Sequence, residues 1–344
     1  MRAIAITDQK GPGSARLMEL PDVAPGAGEV SVRVKAAALN HLDLWTMSGS
    51  LPIEIDFPFV LGADGAGEID ALGEGVRGLK PGARVIVNPG ISCRGCERCR
   101  AGEQSECTSF RMLGEHLPGT LAELVTVPAT NVFPFPDHLS FEEAAALGVT
   151  FMTAYRMLFT NGRMEPGEWV LVTGIGGGLA LSLFQIARHV AGRVYVTSSS
   201  KAKLDRAAEM GADAGIDYKT EDVGRAVRRL TGKRGVDLVV DSAGGDSLDG
   251  SLRALRPGGR VVVAGATAGA TSEINLRRLF WNQLAVIGST MASDSDVSNM
   301  LRFVAGTELR PIVDRTYGLE EAPDAVARLA SGEQFGKIVV RIDP

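Results

Sequence analysis

Apolar positions recur along the chain with two different periods, and the change falls near residue 150. Before it the pattern is strand-like. Val30, Val32 and Val34 alternate with Ser31, Arg33 and Lys35, and Val85 and Val87 alternate with Arg84 and, less cleanly, Ile86. Leu121, Leu124 and Val127 close another short apolar stretch, and Leu72-Gly73-Glu74-Gly75 and Pro81-Gly82 punctuate the runs as turns. Residues 1 to about 145 therefore predict a small, mostly β barrel. Ser140-Phe141-Glu142-Glu143 is a capping box, which predicts a helix leading out of it.

Beyond residue 150 strands alternate with helices. Trp169 to Thr173 reads as a buried strand and Leu179 to His189 as a helix after a glycine turn. Val194 to Thr197 and Lys201 to Met210 repeat the pair, and Val236 to Asp241 and Val261 to Gly265 are further apolar strands. Such a succession predicts an α/β architecture with a doubly wound parallel sheet. After about residue 292 the alternation fades, and Gly336-Lys337-Ile338-Val339-Val340 reads as a last strand.

Composition narrows the picture only modestly. A chain of 344 residues is long for one core, so about two domains are expected. The net charge of −5, with Lys and Arg scattered, argues against nucleic acid as the main partner. No apolar run reaches membrane-spanning length. Met1 to Ile6 reads as a first strand rather than a signal peptide, so a cytoplasmic enzyme acting on a small molecule is the default.

Two motifs carry chemistry. All four cysteines fall in Cys93-x2-Cys96-x2-Cys99-x7-Cys107, spaced for a closed tetrahedral zinc site. The window is rich in Arg and Glu and has almost no apolar side chains, so coordination would have to hold it together. Two disulfides, or four idle thiols, are the alternative. The other motif is Gly174-Ile175-Gly176-Gly177-Gly178-Leu179-Ala180, between a strand and a helix. Glycines there let the backbone approach a pyrophosphate at a helix N-terminus, which predicts dinucleotide binding through Gly174, Gly177, Gly178 and Leu179.

The next strand bears on which dinucleotide. A carboxylate at its end would hold a ribose 2′-hydroxyl, but the chain has Thr197-Ser198-Ser199-Ser200-Lys201-Ala202-Lys203. Hydroxyls at Ser198 and Ser199 followed by ammonium groups favour a 2′-phosphate, hence NADPH over NADH. Ser200 as a simple N-cap, with solvated lysines, is the plainer reading.

Together these residues resemble the medium-chain dehydrogenase/reductase superfamily, the zinc alcohol dehydrogenases and their quinone oxidoreductase relatives. The resemblance spans the chain and includes Gly62-x-Asp64-Gly65-Ala66-Gly67 and Gly258-Gly259-Arg260-Val261. It implies a GroES-like, mostly β catalytic domain from residues 1–148 and 293–344, and a Rossmann domain from 149–292. It places the active site in the cleft between the two domains, and implies a homodimer or homotetramer. Lys203 and Tyr218 match the pair that grips the 2′-phosphate in the quinone oxidoreductase branch. Other cofactor contacts map onto Thr153, Ser242, Ala264, Gly265 and Ala266.

The departures from the resemblance matter as much. Zinc alcohol dehydrogenases carry a catalytic zinc with a cysteine where this chain has Asn40, a histidine-glutamate pair at Ala63-Asp64, and another ligand at Val149. Leu42 replaces the hydroxyl of their proton relay. Alanine and valine side chains cannot bind a metal. One structural zinc and no catalytic zinc is the expectation, with Asp43 and Asp64 hydrogen-bonding backbone. Such a site suits hydride transfer to an activated double bond, quinone or carbonyl. Asn40 would donate a hydrogen bond to the developing oxyanion, and His41 would supply the proton, with His116 a weaker candidate. Trp45, Met47, Phe57 and Phe59 suggest an apolar lining, or simply barrel core. An alcohol or aldehyde dehydrogenase is the alternative, and an NADPH-binding protein without turnover a third reading.

Overall fold

The computed structural model describes residues 1–342. The chain forms two compact units, one of Met1–Thr150 with the segment from Ser293 onward, the other Phe151–Ala292.

The first unit opens with strands β1 (Arg2–Ile6), β2 (Arg16–Glu19) and β3 (Glu29–Ala38), then helix α1 (His41–Ser48). There follow β4 (Phe59–Val60), β5 (Asp64–Leu72), β6 (Arg84–Val87), β7 (Gly90–Ile91), the short helix α2 (Glu97–Arg100), β8 (Arg111–Met112), β9 (Leu124–Pro128) and β10 (Val132–Pro134). Helix α3 (Phe141–Ala145) starts at the expected capping box: Glu143 N–H donates to Ser140 Oγ at 3.2 Å and Ser140 N–H to Glu143 Oε2 at 2.9 Å. Val85, Ile86 and Val87 are all buried, so β6 is a two-sided core strand and reads as a continuous apolar run rather than an alternation. Met47 and Phe59 are also buried in the first unit's core, whereas Phe57 is 46% exposed and Trp45 only partly buried; of the four residues expected as apolar lining, two are core.

Helix α4 (Gly148–Tyr155) starts in the first unit and continues into the second, where its end widens into a π-helical turn over Arg156–Asn161 before the sheet. The second unit's further elements are β11 (Trp169–Val172), α5 (Gly178–Ala187), β12 (Arg193–Ser198), α6 (Lys201–Glu209), β13 (Ala214–Asp217), α7 (Val223–Leu230), β14 (Val236–Asp241), α8 (Ser247–Ala254), β15 (Leu255–Val263), α9 (Leu276–Trp281) and β16 (Ala285–Gly288). The six strands are parallel in the order β13-β12-β11-β14-β15-β16, the doubly wound arrangement that helices on successive crossovers produce. Strand β15 ends at Val263, two residues short of the sequence-based expectation; its last ladder bond to β14 runs from the Ala264 N–H to Asp241 O at 3.0 Å.

The chain then returns to the first unit through α10 (Asp294–Thr307), β17 (Val313–Gly318), α11 (Ala322–Ser331) and β18 (Lys337–Arg341). This return matters for the site. Strand β3 pairs with β5 along one edge; β9 covers Glu29–Arg33 on the other edge and β18 covers Ala36–Ala38. Ala38 therefore sits between Asp64 on one side and Val339 on the other. Three distant segments are brought to one sheet end by backbone register alone.

Candidate active site

Asn40 and His41 open α1 directly after β3. Asp43, three residues on and fully buried, turns back so that its Oδ2 accepts the Asn40 N–H at 2.7 Å, while its Oδ1 accepts the Gly62 N–H at 3.0 Å. Burial pushes the Asp43 carboxyl up to about 6, against the pull of those two hydrogen bonds. Asp64, at the start of β5, is also fully buried. Its Oδ1 accepts the Val149 N–H at 2.6 Å, and its Oδ2 accepts from Asn40 Nδ2 and from Lys337 Nζ, each at 2.9 Å. Both carboxylates thus bond backbone. Gly148 permits the close approach: a Cβ there would lie 2.0 Å from Asp64 Oδ1.

Lys337 was not singled out by the sequence reading. Its side chain is 4% exposed, and its three N–H bonds meet three acceptors: Leu39 O at 2.7 Å, Asn40 Oδ1 at 2.7 Å and Asp64 Oδ2 at 2.9 Å. A buried ammonium is tolerated only when paired and fully hydrogen-bonded, and both conditions hold here. Asn40, Asp64 and the Val149 backbone therefore do converge, but around an internal cation. Ala63, buried between them in sequence, offers no donor atom. The one available signal was a lysine at the head of an otherwise apolar strand.

His41 is exposed, its ring edge-on to Trp45 with centroids 5.1 Å apart, and partial desolvation draws its pKa below the ordinary histidine value. His116 sits in a loop tied to α1 by Thr46 Oγ1, which donates to Gly114 O at 3.0 Å. Its Nδ1 accepts the Met112 N–H at 3.3 Å, so the neutral ring carries its proton on Nε2.

The cysteine lobe is separate. All four Sγ atoms lie within 4.8 Å of one another, none is in a disulfide, and Cys93 and Cys99 sulfurs are 4.0 Å apart. Zinc–sulfur bonds of about 2.3 Å give tetrahedral edges of roughly 3.8 Å, so the donor set fits zinc closely. Backbone N–H groups of Cys93, Cys96 and Ser109 point at Cys107, Cys93 and Cys107 sulfurs at 3.3–3.4 Å, as thiolates require. Hydrogen bonding, chiefly from the Cys99 N–H, holds Cys96 down at about 6. Arg94 anchors the lobe to Asp294 at the start of α10 and to Asn131. Among the described residues this is the only cluster of three or more His, Cys, Asp or Glu side chains set to share an ion.

In the second unit the cofactor candidates gather at the C-terminal ends of the parallel strands, the usual ligand edge of such sheets. The glycine turn links β11 to α5, its course fixed by Gly174 N–H to Thr197 Oγ1 at 3.1 Å and Ile175 N–H to Thr197 O at 2.7 Å. Ser198 ends β12 and Ser199 follows it, and the Ser198 hydroxyl accepts the Ser200 N–H at 3.2 Å. Ser200 Oγ in turn caps α6 by accepting the Lys203 N–H at 3.4 Å. Lys203 lies across the glycine turn: a Cβ on Gly176, whose φ is +118°, would come 2.5 Å from Lys203 Cδ and 3.3 Å from its Nζ. Tyr218 follows β13, its N–H bonded to Ser198 O at 3.2 Å and its side chain 51% exposed. Ser242 follows β14, its hydroxyl donating to Thr173 O at 3.4 Å. Ala264, Gly265 and Ala266 follow β15, and Thr153 is buried on α4. A cavity of about 420 Å³ opens here, lined by Thr173, Gly174, Thr197, Tyr218 and also by the carboxylates Glu221 and Asp222.

Sequence reasoning missed the residue that organises this floor. Asp241, fully buried at the end of β14, accepts from Thr173 Oγ1, the Ala243 and Gly244 N–H groups, and the Ser247 and Ser251 hydroxyls at 2.8–3.1 Å. An acid closing an otherwise apolar strand was the visible sign.

Family models agree with this geometry. The alcohol dehydrogenase GroES-like domain matches residues 26–137, and the zinc-binding dehydrogenase domain matches 178–306. An alcohol dehydrogenase of Geobacillus stearothermophilus is 31% identical, with all of both chains covered. The chain belongs to the medium-chain dehydrogenase/reductase superfamily. Members of this family bind a nicotinamide cofactor and zinc, and the chain is an oxidoreductase of that family. The acryloyl-coenzyme A reductase of Metallosphaera sedula is also 31% identical, over 99% of each chain. Among solved structures, an NAD-dependent alcohol dehydrogenase superposes with a TM-score of 0.93 at 42% identity, with both chains fully covered. No helix among the described residues is long and apolar enough to cross a membrane.

Proposed function

We propose that the protein is an NADPH-dependent reductase that delivers hydride to an activated double bond, quinone or carbonyl without a catalytic metal. The observation that carries this reading is the Lys337 ammonium, held where Asn40, Asp64 and the Val149 backbone converge. Those positions carry zinc ligands or their neighbours in the alcohol dehydrogenases the chain resembles. Oxidising an alcohol requires removing its hydroxyl proton, which a bound metal assists by acidifying oxygen. A conjugated acceptor needs no such step, because hydride addition to carbon leaves charge that the enolate or hydroquinone oxygen spreads.

The bound nicotinamide supplies the hydride, and the chain must bind, orient and stabilise. The glycine turn and the N-terminus of α5 would cradle the pyrophosphate, with Lys203, Ser198, Ser199 and Tyr218 on the 2′-phosphate. The second Nδ2 hydrogen of Asn40 would meet the developing oxyanion. The proton that completes the reduction would come from His41 or from water. Cys93, Cys96, Cys99 and Cys107 would hold one zinc that cross-links its lobe and takes no part in hydride transfer. Unpaired thiols in this role suit a reducing, cytoplasmic setting.

Dehydrogenation of alcohols with NAD+ is the second reading, favoured by one feature in particular. Asp217 is the register partner of Ser198, so a carboxylate does stand at the neighbouring strand end. Self-association is part of the proposal too: Leu276, Phe280 and Trp281 are 67–79% exposed beside the edge strand β16, and apolar surface next to unpaired backbone favours a second copy.

One panel tests the function: NADPH oxidation with enones and quinones, NAD+ and NADP+ reduction with alcohols, and NADPH binding followed by fluorescence. Faster turnover of enones or quinones than of alcohols is expected. Turnover confined to alcohols would overturn the reading, and binding without turnover would leave only a cofactor-binding protein.

A further inference from the structure

We propose that Lys337 is a positioning residue that locks the Asn40 carboxamide in the one orientation able to donate a hydrogen bond to substrate oxygen. The inference rests on the metal-free reading above. A carboxamide has two nearly isosteric orientations, one presenting N–H and the other oxygen, and only its partners choose between them. Here the choice is forced. An ammonium only donates, so Asn40 Oδ1 must face Lys337 at 2.7 Å; a carboxylate only accepts, so Asn40 Nδ2 must face Asp64 at 2.9 Å.

That leaves the second Nδ2 hydrogen. It is directed toward Ala38 O at 3.4 Å, the weak end of the hydrogen-bond range, so a stronger acceptor can take it. Asn40 keeps 7% of its surface exposed. Lys337 itself has no N–H to spare, because all three meet protein acceptors. Its influence must pass through Asn40. Bonding the ammonium to Oδ1 also polarises the amide and strengthens its N–H as a donor. When hydride reaches carbon, charge grows on the substrate oxygen and the Nδ2 hydrogen holds it. No bond to Lys337 or Asn40 forms or breaks.

Backbone register explains why a residue near the C-terminus can do this. Lys337 lies two residues before Val339, the β18 partner of Ala38, and Leu39 N–H bonds Ile338 O at 2.9 Å. Three strand ends thus fix the ammonium, the carboxylate and the carboxamide together.

The test compares wild type with Lys337→Met and with the neutral double variant Lys337→Met/Asp64→Asn. Protein labelled with 15N on asparagine side chains, with Asn40→Asp to assign the resonance, reports the carboxamide without any turnover. Lys337→Met should shift the Asn40 amide resonances and speed their hydrogen exchange. It should lower kcat on the best acceptor by roughly a hundredfold, the scale for losing one oxyanion donor, while NADPH affinity holds. In the double variant the carboxamide introduced at position 64 can donate to Asn40 Oδ1, so thermal stability should recover with Asn40 flipped, and kcat should stay low. A purely structural lysine predicts the reverse, with kcat and stability recovering together. That result, or Asn40 resonances unmoved by Lys337→Met, overturns the proposal. If Lys337→Met does not fold, the double variant decides by the same two readouts. A wild-type protein that turns over no acceptor would sink the functional reading, while the resonance comparison would still decide the role of Lys337.

Discussion

Replacing Lys203 with Met is the sharpest perturbation of cofactor choice, because it removes the charge and keeps the stem. The stem is what lies over the glycine turn, 2.5 Å from where a Gly176 Cβ would be, so Met preserves that cover. NADH affinity should therefore change by no more than about twofold, since it lacks the phosphate a Lys203 ammonium would contact. NADPH should lose one charge-assisted contact, about 1.5–3 kcal/mol, or roughly 10- to 150-fold in Kd. The structure favours the lower end. Glu221 and Asp222 line the same cavity and Asp217 stands beside Ser198, so a 2′-phosphate there would sit in a field already partly negative. Asp222 is largely committed elsewhere, capping α7 through the Arg225 N–H at 2.8 Å and pairing with Arg253 at 3.0 Å. Fluorescence titration of both cofactors, at low and physiological salt, measures the preference directly. The wild-type preference should itself shrink with salt, as an exposed ion pair does. If Lys203→Met weakens both cofactors alike, or if wild type binds NADH as tightly as NADPH, the assignment of a 2′-phosphate site is wrong.

Other consequences follow from single groups. Elemental analysis should find one zinc per chain, lost in Cys99→Ser; two zincs would contradict the metal-free site. Gly148→Ala should destabilise by about 1–3 kcal/mol in chemical denaturation, although alanine favours helices, because its Cβ would lie 2.0 Å from Asp64 Oδ1; a stabilised variant would refute that contact. Asp237 is desolvated, yet Arg234, Arg256 and the Trp169 N–H hold it at about 2 against an ordinary 3.8. Its depressed pKa makes about 2 kcal/mol of stability present above about pH 4 and lost as pH falls toward 2, so the stability gap between wild type and Asp237→Asn should close over that window in acid titration. Trp281→Glu should lower the oligomeric mass seen in sedimentation, and a wild-type monomer would refute self-association through that edge.

The second unit was the easier half to read. Buried strands there are short apolar runs such as Val236–Asp241, and α6, α7 and α9 open at side-chain caps on Ser200, Asp222 and Asn275, so local pattern and tertiary role largely coincide. The barrel was less legible, because β3 alternates only in its first half. Ala36, Ala37 and Ala38 are buried on both faces, where β18 and β5 flank them, and a run of alanines carries no period. Strand boundaries slipped by one or two residues, as at Val263, where small residues continue the run beyond the last ladder pair.

The candidate site divides along the same line. The cysteine spacing and the glycine turn are local patterns, and the structure gathers the four sulfurs and sets the turn between β11 and α5. What Asn40 does is not local. From residue type and position it was a free donor to substrate; in the structure its carboxamide is held between Asp64, 24 residues away, and Lys337, 297 residues away. Neither partner is informative alone, since a lone Asp reads as a backbone acceptor and a lone Lys as a solvated head. Their meaning comes from burial. An ammonium 4% exposed beside a carboxylate with no exposure is costly unless every hydrogen bond is made, and making them fixes which face of Asn40 is left over. A buried carboxylate at Asp64 demands a positive partner, and Lys337, reaching it from the far end of the chain, supplies one.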